Sequence, residues 1–247
     1  MNFAMISAVS GGLAALDRLD AIATNLANVS TTGFKGLLHS QSSDRVSGPG
    51  ASGANGPTDP INRSRLVSDL SQGGLETTGN PLHVALDGPG FFVVDTPQGE
   101  RLTRRGSFGM DEEGYLATPE GHRVQGDGGE IDVGAGVSRG EAVVIGKDGS
   151  VQIGDATVGT LRVVDPGDAA ALHREPGGLY RAGQGDLVPQ ETGAYVVHQG
   201  SLENSNVSAV ESLVAMIETM RGFEAYMNTL DRVDKINERS IRDIGRA

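Results

Sequence analysis

Apolar residues spaced three and four positions apart at both ends of the chain constrain its fold more than any other feature. Near the C-terminus, Ser208 and Glu211 have the form of a capping box, and the spacing that follows predicts a helix of about 35 residues. Near the N-terminus the same spacing predicts a helix that continues to Val29. The two apolar stripes consist of Ile6, Val9, Leu13, Leu16, Leu19, Ile22, Leu26 and Val29, and of Leu213, Met216, Ile217, Met220, Phe223, Met227 and Leu230.

The sequence between the two helices favours β structure. The chain contains 37 glycines and no tryptophan, and short β-branched and aromatic runs separated by turn residues are typical of an all-β domain. The fold class predicted is therefore mixed, with long terminal helices that form a coiled coil and flank a central all-β domain. The predicted boundaries are 1–36 for the N-terminal helix and turn, 37–74 for a flexible or extended connector, 75–200 for the β domain and 201–247 for the C-terminal helix.

The two terminal stripes need something to pack against. They could bury each other, but a single helix pair offers little apolar burial against the entropy of ordering both segments. We therefore expect the terminal segments to be loose or disordered in an isolated chain and to become ordered when copies pack side by side. A head-to-tail contact of that kind closes into a ring or continues as a helical tube.

The end of the N-terminal helix carries polar residues with two open interpretations. Asn25 and Asn28 could form an exposed polar face with local capping, or their amides could bond to a neighbouring helix and fix its register. Gly33 is expected to adopt the left-handed conformation that ends helices. We include these three residues, Phe34 and the cap-region residue Asn206 among the candidate assembly residues.

Composition and motifs argue against several other functions. The net charge of −12 and the absence of a Lys/Arg cluster disfavour nucleic acid, and the chain has no cysteine. We find no pattern for a catalytic residue, metal, cofactor or small-molecule substrate, no apolar run long enough to span a membrane, and no convincing cleavable signal peptide. The group Arg101, Arg104 and Arg105 predicts a solvated face or pairing between subunits, and the acids at 111–113 predict a hairpin turn.

Three sequence blocks resemble one protein family. Residues 16–36 (LDRLDAIATNLANVSTTGFKG), 77–126 (beginning TTGNPLHVALDGPGFFVV) and 199–236 (beginning QGSLENSNVSAVESL) are similar to the axial rod and hook proteins of the bacterial flagellum. Chain length and residues 160–180 favour the proximal-rod type, the distal-rod type is the alternative, and the hook type carries an extra domain. One departure is Gly222, where the family more often has alanine.

The resemblance implies a structural subunit and not an enzyme. It implies export through the flagellar type III apparatus without signal cleavage, and self-assembly with copies of itself and other rod proteins into the drive shaft that crosses the periplasm. Terminal helices of this family form an inner core (D0-like), so Gly33 would turn the chain out of that core and Phe34 would pack at the junction. Two alternatives remain open: a monomeric β-rich enzyme, and a soluble binding or chaperone-like module.

Overall fold

The chain divides into two units, each built from segments that are distant in sequence. The computed structural model describes residues 3–45, 60–166, 172–183, 188–190 and 193–244. We name the units the helical unit, which comprises Met1–Ala27, Leu37–Val67 and Ser208–Ala247, and the β unit, which comprises Asn28–Gly36 and Ser68–Val207.

The elements follow the predicted order of helix, β-rich region and helix. The helices are α1 (Phe3–Ala27), α2 (Gly134–Val137) and α3 (Ala209–Ile244). The strands are β1 (Leu37–Arg45), β2 (Pro60–Ser68), β3 (Leu75–Thr77), β4 (Val84–Asp87), β5 (Phe91–Thr96), β6 (Gly99–Thr103), β7 (Gly109–Met110), β8 (Leu116–Ala117), β9 (Arg123–Gly126), β10 (Gly129–Glu130), β11 (Val143–Ile145), β12 (Ser150–Ile153), β13 (Ala156–Thr160), β14 (Val163–Asp165), β15 (His173–Glu175), β16 (Leu179–Arg181), β17 (Val188–Pro189), β18 (Val196–Gln199) and β19 (Ser201–Glu203).

The two long helices begin and end close to where their sequences predict. The Ser208 hydroxyl accepts a hydrogen bond from the N–H of Glu211 at 3.4 Å, which is one half of the predicted capping box. From there α3 runs for 36 residues. Helix α1 ends at Ala27, two residues earlier than predicted, because Asn28 and Thr31 form a turn with a 3.1 Å backbone bond.

Strands β1 and β2 pair with each other in the helical unit. Both fall in the stretch 37–74, for which the composition predicts a flexible or extended connector. The most glycine- and proline-rich part of that stretch, at 48–59, lies outside the described residues.

The β unit contains antiparallel sheets. Its largest sheet has the order β15-β16-β6-β5-β9-β8-β7, with β14 paired to β5 and β17, and β10 paired to β9. Smaller sheets are formed by β11-β12-β13, by β4 with β18, and by β3 with β19. The prediction of a β-rich middle is confirmed.

Strand β5 lies at the centre of the core. Phe92 and Val94 contribute to the larger apolar cluster, whereas Phe91 and Val93 contribute to a second cluster on the other face. Both faces are covered, which explains why this strand is continuously apolar where a half-exposed strand would alternate. Within the described residues, neither long helix combines the length and hydropathy of a membrane span.

Candidate assembly surface

Helices α1 and α3 pack against each other through small side chains. A Cβ atom on Gly11 would lie 2.6 Å from Tyr226 Cε1, so a larger residue here would require the Tyr226 ring to move. Ala15 and Ala21 of α1 and Thr219 of α3 are buried. Small residues therefore form part of the covered face of the helix pair, next to larger ones such as Tyr226 and Ile22.

The largest apolar residues lie on a different side of each helix. Leu13 and Ala15, like Ile217 and Thr219, are two positions apart, which separates them by about 200° around a helix. The first member of each pair is exposed and the second is buried. We name the exposed set the outer face, whose members are 43% to 72% exposed: Val9, Leu13 and Leu16 of α1, and Val210, Leu213, Val214, Ile217, Met220 and Met227 of α3.

The outer face overlaps the predicted stripes but is not identical to them. Val210 and Val214 were not predicted, although their spacing with Leu213 and Ile217 follows the helical repeat and could have identified them. Ile22 is buried, and the side chain of Ile6 lies outside the described set. The other predicted stripe residues are half-buried: Leu19, Leu26, Val29, Met216, Phe223 and Leu230.

A groove of about 1250 Å³ lies within the helical unit between the two helices. Its lining includes Gly11, Ala14, Ala215 and Gly222, which leave space because their side chains are short, and Arg18 and Glu218, which supply charge. The groove follows from the same use of small residues that brings α1 close to α3.

Asn25 fixes the start of strand β1. Its Oδ1 accepts the N–H of Leu37 at 2.7 Å, and its Nδ2 donates to the carbonyl of Leu37 at 2.9 Å. The amide thus acts on Leu37 as the backbone of a neighbouring strand would. Asn28 accepts a 3.2 Å bond from the Thr31 hydroxyl, a local contact within the β unit. Bonds from either asparagine to a neighbouring helix remain a prediction.

Gly33 and Phe34 are buried where the N-terminal segment enters the β unit. Gly33 has φ +66°, which confirms the predicted left-handed conformation, and its N–H donates to the carbonyl of Glu203 at 2.7 Å. A Cβ on Gly33 would lie 2.6 Å from the backbone carbon of Arg104. The Phe34 ring lies 4.0 Å from the Arg174 guanidinium, in the geometry of a cation–π contact.

Asn206 joins the segments on either side of it. Its Oδ1 accepts the N–H of Gly36 at 2.8 Å, and its Nδ2 donates to the carbonyls of Asp69 and Ser71 at 3.0 and 3.1 Å. Asn206 was predicted as a cap-region assembly residue, and within the chain it connects the segment that follows α1 to the segment that precedes α3.

A buried ionic cluster lies beside these contacts, and we name it the charge triad: Lys35, Arg104 and Glu203. Lys35 Nζ lies 2.6 Å from Glu203 Oε1, and Arg104 Nη1 lies 3.4 Å from Glu203 Oε2. Each of the three side chains is at most 4% exposed. Burial lowers the pKa of Lys35, and Arg104 acts in the same direction, whereas Glu203 opposes them.

The charge triad corrects the prediction for the arginine group. Arg101 and Arg104 are buried and not solvated, and they pair within the chain with Glu175 and Glu203. Arg105 also pairs within the chain, with Glu120 at 2.6 Å. The prediction was wrong because the partner carboxylates lie 15 to 99 positions away in sequence, and only the folded β unit brings each of them to its arginine.

Comparison with known families identifies the same three regions. Residues 5–35 match the family described as flagella basal body rod protein. Residues 85–153 match the flagellar hook protein FlgE/F/G D1 domain, and residues 198–243 match the flagellar basal body rod FlgEFG protein C-terminal domain.

Individual relatives match along nearly the whole chain. The chain is 30% identical over 249 residues to the flagellar basal-body rod protein FlgF of Caulobacter vibrioides, covering 100% of this chain and 99% of the relative. It is 32% identical to FlgF of Escherichia coli, covering 95% of each, and 31% identical to FlgG of Bacillus subtilis, covering 94% and 95%. The FlgF matches support a rod protein of FlgF type. With three family regions in order and full-length relatives, the chain belongs to the flagellar basal-body rod proteins.

Proposed function

We propose that this protein is a non-enzymatic subunit of the flagellar rod that joins neighbouring subunits through the outer face of α1 and α3. The observation that carries the proposal is the exposure of that face. Leu13 is 59% exposed and Ile217 is 53% exposed, although the β unit of the same chain buries its apolar core residues such as Phe92 and Leu116. Large exposed apolar patches are typical of protein interfaces.

The energetics favour helices from adjacent copies as the cover for this face. A fully buried aliphatic side chain contributes about 1.5–3 kcal/mol, so covering the exposed half of one contributes about 1 kcal/mol. Nine such residues give on the order of 9 kcal/mol per subunit before the cost of association is subtracted. The 3-4 spacing of Leu213, Met216, Met220, Phe223 and Met227 suits coiled-coil packing in the assembly.

We further propose that the rod in question is the proximal rod, in the periplasm. The FlgF relatives support this position, and the similarity to FlgG of Bacillus subtilis supports the distal rod as the alternative. The partners proposed are other copies of this chain and other rod proteins. The flagellar type III apparatus is the proposed export route, without a cleaved signal peptide.

A charge placed on the outer face tests the proposal. Ile217→Asp puts a carboxylate at a half-exposed position, so the isolated chain should keep its fold. At a covered interface the same carboxylate is unpaired, and we expect incorporation into basal bodies to fall by about tenfold or more. Incorporation is measured by complementing a strain that lacks the gene and immunoblotting purified basal bodies.

The matched control is Val144→Asp, which makes a similar change at a residue of the β unit that is 49% exposed. We expect this variant to incorporate close to the wild-type level. If Ile217→Asp and Val144→Asp incorporate equally well, the outer face does not join the subunits.

A further inference from the structure

The charge triad has no role in the proposed assembly surface. It lies within the β unit, and its members come from three distant parts of the chain. Two of the three charges are cations, so one carboxylate serves both. Arg104 Nε is buried and has no hydrogen-bond partner among the described residues, so the guanidinium is only partly satisfied at this site.

Glu203 contacts the N-terminal segment through both its side chain and its backbone. Its Oε1 lies 2.6 Å from Lys35 Nζ and accepts the N–H of Gly73 at 2.9 Å, and its carbonyl accepts the N–H of Gly33 at 2.7 Å. Lys35 Nζ also donates to the carbonyl of Ser71 at 2.6 Å. The contacts of one residue therefore hold residues 33–35 in place.

The same region is connected a second time, three residues further along both segments. The side chain of Asn206 accepts the N–H of Gly36, and the N–H of Asn206 donates to the carbonyl of Phe34 at 3.3 Å. Residues 33–36 follow α1 in the chain, and residues 203–206 precede α3. The two segments that lead to the long helices are thus bonded to each other within the β unit.

We propose that Glu203 docks residues 33–36 and 203–206 onto the rest of the β unit as one cooperative step. We name these contacts of Glu203 the latch. When the latch is closed, both segments are held, and when it opens, both are released together. The latch is a property of the β unit alone, so it holds whether or not the outer face of the helices joins subunits.

The unequal charge count gives the latch a testable signature. Glu203→Gln leaves Lys35 and Arg104 buried without the carboxylate that they share, and breaking a buried pair in this way is strongly destabilising. Lys35→Met removes one cation and leaves Arg104 paired with Glu203, so its effect should be smaller. In the double variant, Lys35→Met removes one of the two stranded cations and should therefore partly rescue Glu203→Gln.

Amide hydrogen exchange of the full chain, followed by NMR, measures the latch directly. The reporters are the N–H groups of Gly33 and Gly36 in one segment and of Asn204, which bonds to the carbonyl of Gly74 at 2.8 Å, in the other. We expect Glu203→Gln to speed exchange of all three by a similar factor, on the order of 100-fold. The double variant should exchange more slowly than Glu203→Gln.

Glu100→Gln is the matched control, because it removes a carboxylate whose 2.9 Å pair with Arg162 is exposed. It should leave the three reporters unchanged. If Glu203→Gln does not fold, Glu203→Asp keeps the charge on a shorter side chain and should speed both segments equally by about tenfold. Release of one segment alone, or simple addition of the two single effects in the double variant, would overturn the proposal.

Discussion

The β unit buries a continuous set of large apolar side chains, whereas the helical unit leaves a set of them exposed. Phe92, Val94 and Leu116 of the β unit are fully buried, whereas Leu13 and Ile217 of the helical unit are more than half exposed. The β unit therefore has a complete core of its own, and the helical unit has only one covered face. The difference supports the proposal that neighbouring molecules supply part of the helical unit's stability.

Two ion pairs, one in each unit, show a similar contrast. In the β unit, Lys35 and Glu203 pair with each other and each side chain is 1% exposed. On α3, Lys235 and Asp231 pair with each other and their side chains are 65% and 63% exposed. An exposed helix pair of this kind contributes only about 0.3–0.5 kcal/mol. The most deeply buried ion pair described above thus lies in the β unit.

The largest expected difference between the two units is the loss of stability when one apolar side chain is truncated in each. Phe92→Ala should lower the free energy of unfolding by about 3–5 kcal/mol, because it opens a cavity in a closed core. Leu213→Ala should lower it by only about 1 kcal/mol or less in the isolated chain, because about half of that side chain is already exposed to water. Urea unfolding followed by far-UV circular dichroism measures both.

An equal loss of stability in the two variants would contradict the comparison. It would mean that Leu213 is covered within a single chain, and the outer face would then need no neighbour.

A smaller effect is expected at a glycine of the β unit. Gly33→Ala forces a side chain onto a left-handed residue and against the backbone of Arg104, so we expect the free energy of unfolding to fall by about 1–3 kcal/mol. Thermal unfolding of the purified variant checks this value. A neutral result would show that the segment is not held in the β unit as described.

The smallest effect, of opposite sign, is expected at a glycine of the helical unit. A Cβ on Gly222 would meet no atom within 4 Å. Gly222→Ala should therefore stabilise α3 by about 1 kcal/mol, the difference in helix propensity between the two residues. Thermal melting of the helical circular dichroism signal should move upwards, and a downward shift would show that the groove needs the glycine.

Features set by neighbouring residues could be predicted from the sequence. The periodic stripes predicted both long helices, Ser208 and Glu211 marked the start of α3, and Gly33 has the expected positive φ. The hairpin turn predicted at the acids is also present between β7 and β8, with a 3.1 Å bond from the N–H of Gly114 to the carbonyl of Asp111. Each of these depends on contacts within a few positions.

Features set by distant residues could not be predicted. Lys35 and Glu203 are 168 positions apart, and only the folded β unit brings them together. Asn25 looked available for a neighbouring helix because its partner Leu37 lies beyond the turn, in a stretch that the composition predicts to be flexible or extended. The division of the stripe between a face towards α3 and an outer face also needed the structure, since periodicity alone does not say which side is covered.

Hydrogen exchange of the dilute chain compared with assembled rods tests the central claim most directly. We expect the amides of α1 and α3 to exchange rapidly in the dilute chain and slowly in the rod, while the amides of β5 exchange slowly in both. Equal and strong protection of α1 and α3 in the dilute chain and in the rod would contradict the claim that neighbouring subunits complete the helical unit.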